Sequence, residues 1–420
     1  MDSRQMAFRI PEGAAIIIRE LNKAGHEAYL VGGCVRDLFL SRTPGDWDIT
    51  TSARPEQVKG IFRRTIDTGL KHGTVTVLLK GSQYEVTTYR LDGAYSDGRH
   101  PDDVTFTSDL AEDLKRRDFT INAMAWHPGE GVVDLFDGQG DLARGVIRCV
   151  GDARERFTED ALRILRAVRF AAQLGFAIDA DTESALKVLA PNLVHVSRER
   201  VRVELEKMLL SAHPDKWAFL EGAGVLPYAL PPSVFTLTEE EAEAADAALQ
   251  QRVRTLREGI FANAPERECA VRLAVLASAH PKSTEGLLRD LRYDNDTIRF
   301  TRMLSENLSR PLAPEGVCAR QLLCDVTPEG ITPLLAVREA LGEDRTRLLA
   351  VRAECSRVLE AGEPYCLGML AVNGNDLMKE LGIRGKAVGD TLKALLAHVI
   401  EQPEENERER LLRLAEEMSS

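Results

Sequence analysis

The 420-residue sequence contains no run of 18 or more apolar residues, which argues against a helix long enough to span a bilayer. Its first residues, MDSRQMAFRIPEG, lack both a basic leader and an apolar leader core, so a cytoplasmic protein with no membrane role is expected. Cysteine is sparse: Cys34, Cys149, Cys269, Cys318, Cys324, Cys355 and Cys366 are odd in number, scattered, and never spaced C-x-x-C. That pattern argues against a disulfide framework or a zinc site and implies reduced, mostly buried thiols. Positive charge is also short, with 54 Lys and Arg against 66 Asp and Glu and a net charge of −12. Broad, nonspecific adhesion to nucleic acid is thereby disfavoured, while a local basic stripe on an acidic surface leaves RNA binding open. Apolar content, 44%, is that of an ordinary globular protein. The length suffices for roughly two to four domains.

What the chain does contain is concentrated in Tyr29 to Thr51, YLVGGCVRDLFLSRTPGDWDITT. Tyr29-Leu30-Val31 predicts a strand ending at Gly32-Gly33, CVRDLFLSR a helix, Thr43-Pro44-Gly45 a turn, and Asp46-Trp47-Asp48-Ile49 a second strand. Strand alternation places Asp46 and Asp48 on one face and sends Trp47 and Ile49 to the opposite, packed side. Two carboxylates sharing so small a region repel one another, a strain relieved by a hard divalent cation such as Mg²⁺. The glycines let a phosphate approach the backbone, and the helix start behind them offers free N–H groups. Each feature alone has an ordinary reading, a tight turn for the glycines and a solvated strand edge for the aspartates.

In the order strand, GG, x-V-R-D, turn, D-x-D, these residues resemble the signature of the nucleotidyltransferase superfamily that includes DNA polymerase beta. GGCVRD is similar to the pattern of its tRNA nucleotidyltransferase and bacterial poly(A) polymerase branch. The resemblance implies an α+β fold, with a polymerase-beta-like mixed-sheet head followed by an all-helical neck, body and tail. The expected boundaries are 1–150 for the catalytic head, 151–212 for the neck, 213–330 for the body and 331–420 for a tRNA-binding tail. It also implies that Asp46 and Asp48 hold Mg²⁺, and that Gly32, Gly33 and Arg36 address nucleotide phosphates.

Along the head, Pro11 to Lys23 and Ala53 to Arg64 read as helices, and Thr74 to Lys80 with Gln83 to Tyr89 as a hairpin turning at Gly81-Ser82. Glu85 on its second strand is either a third catalytic carboxylate, as the resemblance suggests, or an exposed cross-strand charge. LDGAYSDGRHPDDVTFTSD (91–109) reads as a mobile loop ending in a strand at Val104 to Phe106. It is similar to a family segment needed for adding the terminal A and shortened in enzymes that add only CC. Asp109 to Trp126 opens with an Asp cap and reads as a helix. Within it, RRDFTINA resembles a family motif: Arg116 and Arg117 are a solvated basic pair or, at Arg117, a nucleotide contact, and Asp118 and Asn122 tie the helix to the sheet. VVDLFDGQGDLARGVIRCVG reads as strand, turn, short helix and strand. Its Asp134, Gly138, Asp141 and Leu142 match a family element at the hinge between head and neck.

Thr158 to Leu174, TEDALRILRAVRFAAQL, predicts one amphipathic helix. Ile164, Leu165, Val168, Ala171 and Ala172 pack, while Arg163, Arg166 and Arg169 track along the ligand-accessible side. Asp160 and Arg163, three apart, form either a surface ion pair or a base reader. An ionised Asp only accepts and an Arg only donates. Such a pair complements the amino group and ring nitrogen shared by cytosine and adenine and opposes the reversed edge of uracil and guanine. EDALR resembles the family's E-D-x-x-R motif, and Arg166 and Arg169 stand where the family places further nucleotide-binding arginines. SRERVRVELEKMLLS (197–211), with Ser197 as a possible cap, matches a helix that braces the base-reading one.

Beyond Trp217 the sequence is helical and less informative. LTEEEAEAADAALQQRVRTLREG is a charge-patterned helix, and VRLAVLASAHPKS lacks the His-Asp pair of a phosphohydrolase module. LGIRGKAVG, with Gly382, Gly385, Gly389 and Lys386, is a helix connector or a backbone contact to RNA phosphate. EQPEENERERLLRLAEEMSS is an acidic helix or a frayed end. The activity implied by the resemblance is template-independent building or repair of the 3′ CCA end of tRNA from CTP and ATP. An enzyme adding A alone, a poly(A) polymerase and a noncatalytic RNA-binding adaptor remain as alternatives.

Overall fold

The amphipathic α1 (Glu12–Lys23) buries Ile17, Ile18 and Leu21, starts behind Pro11, and is closed by Gly25 at φ +84°. From there the chain builds β1 (Ala28–Val31), α2 (Gly33–Phe39), β2 (Asp48–Thr51), α3 (Pro55–Ile61), β3 (Thr65–Gly69), β4 (Thr74–Leu79) and β5 (Ser82–Thr88). A separate ladder of β6 (Arg90–Asp92) with β7 (Val104–Phe106) leads to α4 (Leu110–Lys115), β8 (Met124–His127), β9 (Gly131–Asp134) and α5 (Gly138–Arg144). A short parallel ladder joins β10 (Val146–Ile147) to β11 (Ala177–Ile178). Around it lie α6 (Ala153–Glu159), α7 (Leu162–Leu174), α8 (Ala180–Leu189) and α9 (Arg198–Leu209). The computed structural model describes residues 8–93, 104–230, 267–277 and 284–419. They fall in two units, Met1–Pro231 and Pro232–Ser420.

Seven strands form one mixed sheet in the order β3-β4-β5-β2-β1-β8-β9. The inner strand β1, between β2 and β8, is buried at all four residues, and Tyr29 and Val31 pack with Tyr89, Leu114 and Ala125 on one face. All its ladders are antiparallel except β2 with β5, whose register sets Asp48 beside Glu85. The β4–β5 hairpin turns one residue earlier than predicted, at Lys80-Gly81. Both are left-handed (φ +53° and +79°), the geometry that two-residue hairpins require.

Three local predictions are corrected. The helix expected over Asp109 to Trp126 stops at Lys115, because Met124 to His127 is drawn into the sheet between β1 and β9. Its cap is as expected, with the Asp109 carboxylate accepting from the Ala111 N–H at 2.8 Å. The strand expected from Asp46 starts at Asp48, leaving Asp46 exposed in the preceding turn. The helix expected from Thr158 is interrupted: Asp160 is extended (φ −143°, ψ 102°), and α7 begins only at Leu162.

In the second unit every described element is helical. The acidic C-terminal segment is not frayed: Leu411 and Ala415 of helix Arg408–Ser419 are fully buried with Leu377, Leu395 and Val399. The loop centred on 94–103, the whole charge-patterned segment 237–259 and residues 278–283 lie outside the described residues. All seven cysteines are free. Cys34, Cys149 and Cys355 are buried and the other four half-buried, less than the sequence reading implied.

Candidate active site

Strand β1 ends at Gly32, whose backbone (φ +79°, ψ −132°) is open to glycine and costly for any side chain. A methyl group there would lie 3.1 Å from Arg117 Nη1 and 4.0 Å from Asp48 Oδ2. Gly32, Arg117 and Asp48, far apart in sequence, therefore meet at one point. Beside them Asp46, Asp48 and Glu85 line a cavity of about 660 Å³ together with Thr76, Gln83 and Trp47. Trp47, expected on the packed side, is half-buried and borders the acids instead.

The acids repel one another. Burial, then the charge of Glu85, with a smaller push from Asp46, raises the Asp48 carboxyl to about 6 against the pull of Arg117. Among the described residues no three His, Cys, Asp or Glu side chains make a closed metal cage. Two carboxylates with open oxygen positions nonetheless suit a hard divalent ion that completes its shell with water and phosphate.

Arg116 and Arg117 are not solvated. Both grip the fully buried Asp113, Arg116 at 2.7 Å and Arg117 at 3.2 Å. Burial raises the Asp113 pKa, but Arg117 and Arg116 outweigh it and the net shift is downward. The Arg117 Nε–H is buried without a protein acceptor, a donor left over beside Gly32. Asp113 was missed by sequence reasoning, although its position three and four residues before the arginine pair was a signal.

Asp118 and Asn122 reach past the sheet. Arg166 of α7 gives two hydrogen bonds to Asp118 Oδ2, at 2.9 and 2.5 Å. Asn122 donates to Asp118 Oδ1 at 3.2 Å and accepts from Arg36 at 2.8 Å. Burial opposes the Asp118 charge, yet Arg166 holds its carboxyl far below the ordinary range. Arg36 also pairs with Asp37 and lies 5.1 Å from the Phe170 ring centroid, with Arg166 and Arg169 at 5.4 and 3.8 Å. The RRDF segment thus couples the end of β1 to α7.

On α7 the predicted apolar face is buried, but so are Arg163 and Arg169, so the expected open arginine face is largely covered. Arg169 pairs with Glu204 of α9 at 2.5 Å. Arg163 donates to Glu159 Oε2 at 2.5 Å and to the carbonyls of Arg156 and Arg116. Asp160 accepts from Leu162 N–H at 3.0 Å and from Arg200 at 2.7 Å. Asp160 and Arg163 are neighbours across a helix break, each already held by another partner. Ser197 occupies the N-cap of α9 without a side-chain cap bond.

A mixed sheet with a glycine turn laid over paired acids and an arginine defines a nucleotidyltransferase head. Residues 28–148 match the family described as the poly A polymerase head domain. Residues 175–233 match the "Probable RNA and SrmB- binding site of polymerase A", and 262–415 the tRNA nucleotidyltransferase domain 2. The chain is 40% identical over 410 residues to the CCA-adding enzyme of Geobacillus kaustophilus, covering 95% of each, and it belongs to the CCA-adding enzyme family. It is 60% identical over 197 residues to the enzyme of Leuconostoc mesenteroides, a match that spans about half, 49%, of that relative's length. The structure is similar to the Bacillus stearothermophilus CCA-adding enzyme in complex with CTP (TM-score 0.78, 35% identity, 97% of each chain). It shares the fold of the Thermotoga maritima CCA-adding enzyme complexed with tRNA (TM-score 0.62, 22% identity, covering 97% of this chain and 94% of that one). Among the described residues no helix is long and apolar enough to cross a membrane.

Proposed function

We propose that this chain adds or repairs the 3′-terminal CCA of tRNA, taking CTP and ATP in turn and releasing pyrophosphate without a nucleic-acid template. The observation that carries the reading is the meeting of Gly32, Arg117 and Asp48 within a chain that matches its family over nearly its whole length. Residues 1–150 serve as catalytic head, 151–212 as neck, 213–330 as body and 331–420 as the tail that holds tRNA. A tRNA substrate supports the reading of a cytoplasmic protein.

Asp46 and Asp48 hold the divalent cation, with Glu85 beside them, and their oxygen-only donors suit Mg²⁺. When bound, the ion neutralises triphosphate charge and makes the attacking hydroxyl more acidic. Gly32 leaves a phosphate oxygen room against the backbone, Gly33 opens the helix behind it, and Arg117 supplies its unused Nε–H to phosphate or ribose. Arg36, through Asn122, keeps this corner in register with α7. Asp160 accepts from the amino group of cytosine or adenine and Arg163 donates to the adjacent ring nitrogen. Arg166 and Arg169 hold the base-reading helix against the nucleotide.

Incubation of tRNA ending before, within and after CC with single nucleotides tests the activity. CTP alone should extend the first two substrates and stop, and ATP should be taken only after CC. No incorporation from CTP would make this an A-adding enzyme, and long A tracts on unstructured RNA a poly(A) polymerase.

Because Asp48 titrates at about 6, metal and proton compete there. The Mg²⁺ concentration for half-maximal incorporation is expected to rise by about tenfold for each pH unit below that value and to level off above neutrality. Mg²⁺ titrations between pH 5 and 8 give the slope directly.

A further inference from the structure

We propose that Arg200, on α9, is a positioning residue that governs the choice of C and A over U and G by holding the Asp160 carboxylate away from Arg163. The inference rests on the reading of Asp160 and Arg163 as the base readers. Asp160 sits in the extended break between α6 and α7, where no helical neighbour fixes its side chain. Two bonds do so instead. Oδ1 accepts from the Leu162 N–H at 3.0 Å, a contact local to the turn. Oδ2 accepts from Arg200 Nη2 at 2.7 Å, a contact from 40 residues further along the chain.

Arg163 has a matching arrangement, with Nη1 on Glu159 Oε2 at 2.5 Å and Nη2 on the Arg116 carbonyl at 3.2 Å. Among the described hydrogen bonds and ion pairs none joins the side chains of Asp160 and Arg163, although they are opposite in charge and three residues apart. Each is held by an outside partner. A carboxylate oxygen accepts more than one hydrogen bond, so Oδ2 on Arg200 keeps a lone pair for an exocyclic amino group. Released from Arg200, the carboxylate turns to the nearest guanidinium of its own motif. Acceptor and donor then satisfy each other, and neither reads a base. One turn along the same helix, Glu204 grips Arg169, so α9 holds α7 at Arg169 and the break before it at Asp160, through pairs of opposite sense.

Arg200→Met keeps the aliphatic stem and removes the guanidinium, and Arg200→Lys keeps the charge. Steady-state incorporation of CTP, ATP, UTP and GTP, with kcat and KM separated, is measured beside the thermal midpoint. Arg200→Met should raise KM for CTP and ATP and lower the CTP over UTP ratio of kcat/KM, each by about tenfold, the effect of one charge-assisted hydrogen bond. Arg200→Lys should recover part of that ratio. Asp160→Asn combined with Arg200→Met should discriminate no worse than Asp160→Asn alone. A wild-type ratio in Arg200→Met while Asp160→Asn abolishes discrimination overturns the role of Arg200 and spares the base reading. An unchanged ratio with a lowered thermal midpoint marks a simple brace and overturns it equally. Unchanged discrimination in Asp160→Asn removes the base reading, and this inference with it.

Discussion

Asp48→Asn is expected to give a protein that melts higher than the parent in the absence of divalent metal, yet incorporates CTP and ATP about 10³-fold more slowly or worse. Both effects have one origin. The Asp48 carboxyl is a weaker acid in the folded protein, at about 6, than its ordinary value of 3.8, because it is buried and faces Glu85 and Asp46. Below the ordinary value both folded and unfolded chains carry the proton and the group is neutral in its effect. As pH rises toward 6 the unfolded chain releases its proton first, so stability falls across that window and stays reduced above it. An amide removes that penalty, worth at most about 3 kcal/mol at neutral pH, or several degrees in melting temperature. Asp46 is exposed, so Asp46→Asn should lose activity with little change in melting. Calorimetry with and without Mg²⁺, beside the incorporation assay, separates the two. Full activity in Asp48→Asn would refute the metal assignment, and an unchanged melting point would refute the crowding of the acids.

The second large effect belongs to a residue that need touch neither substrate nor metal. Asp118→Ala strips the acceptor from Arg166, from the Phe119 N–H and from Asn122 at once. Leaving a buried ion pair half-made costs about 3–5 kcal/mol. The Arg166 side chain remains 33% exposed and water can reach it, so the lower end, about 3 kcal/mol, is expected here. Urea unfolding should show the midpoint shift, and Asp118→Ala with Arg166→Met should recover part of it. Activity should fall in both variants, because Asn122 loses one of the bonds that hold Arg36 in place.

The head was legible in the sequence where local pattern and tertiary role agree. Gly32, Asp48 and Glu85 could be named because strand period and turn chemistry are short-range signals, and the β2–β5 register does bring the two acids side by side. Reading failed where a neighbour overrides the local preference. Residues 120–127 carry no helix breaker, yet the sheet claims Met124 to His127. Helical periodicity runs unbroken through EDALR, but Asp160 leaves the helix where its carboxylate is held by Arg200. The arginines of α7 looked solvent-facing because their partners, Asp118 and Glu204, lie some 35 to 48 residues away in either direction. Pairing at that separation leaves no trace in the spacing of a single sequence.

The one parallel ladder of the main sheet also has a consequence for how the protein is made. Asp48 finds Glu85 only when β5 has returned to lie along β2, so a nascent chain cannot display the acidic pocket until residue 88 has cleared the ribosome. The glycine turn is set later still, since the Gly32 N–H is anchored on the Met124 carbonyl. Translation therefore completes most of the head before the Gly32 corner is set, and a truncated product ending short of β8 lacks the carbonyl on which Gly32 is anchored.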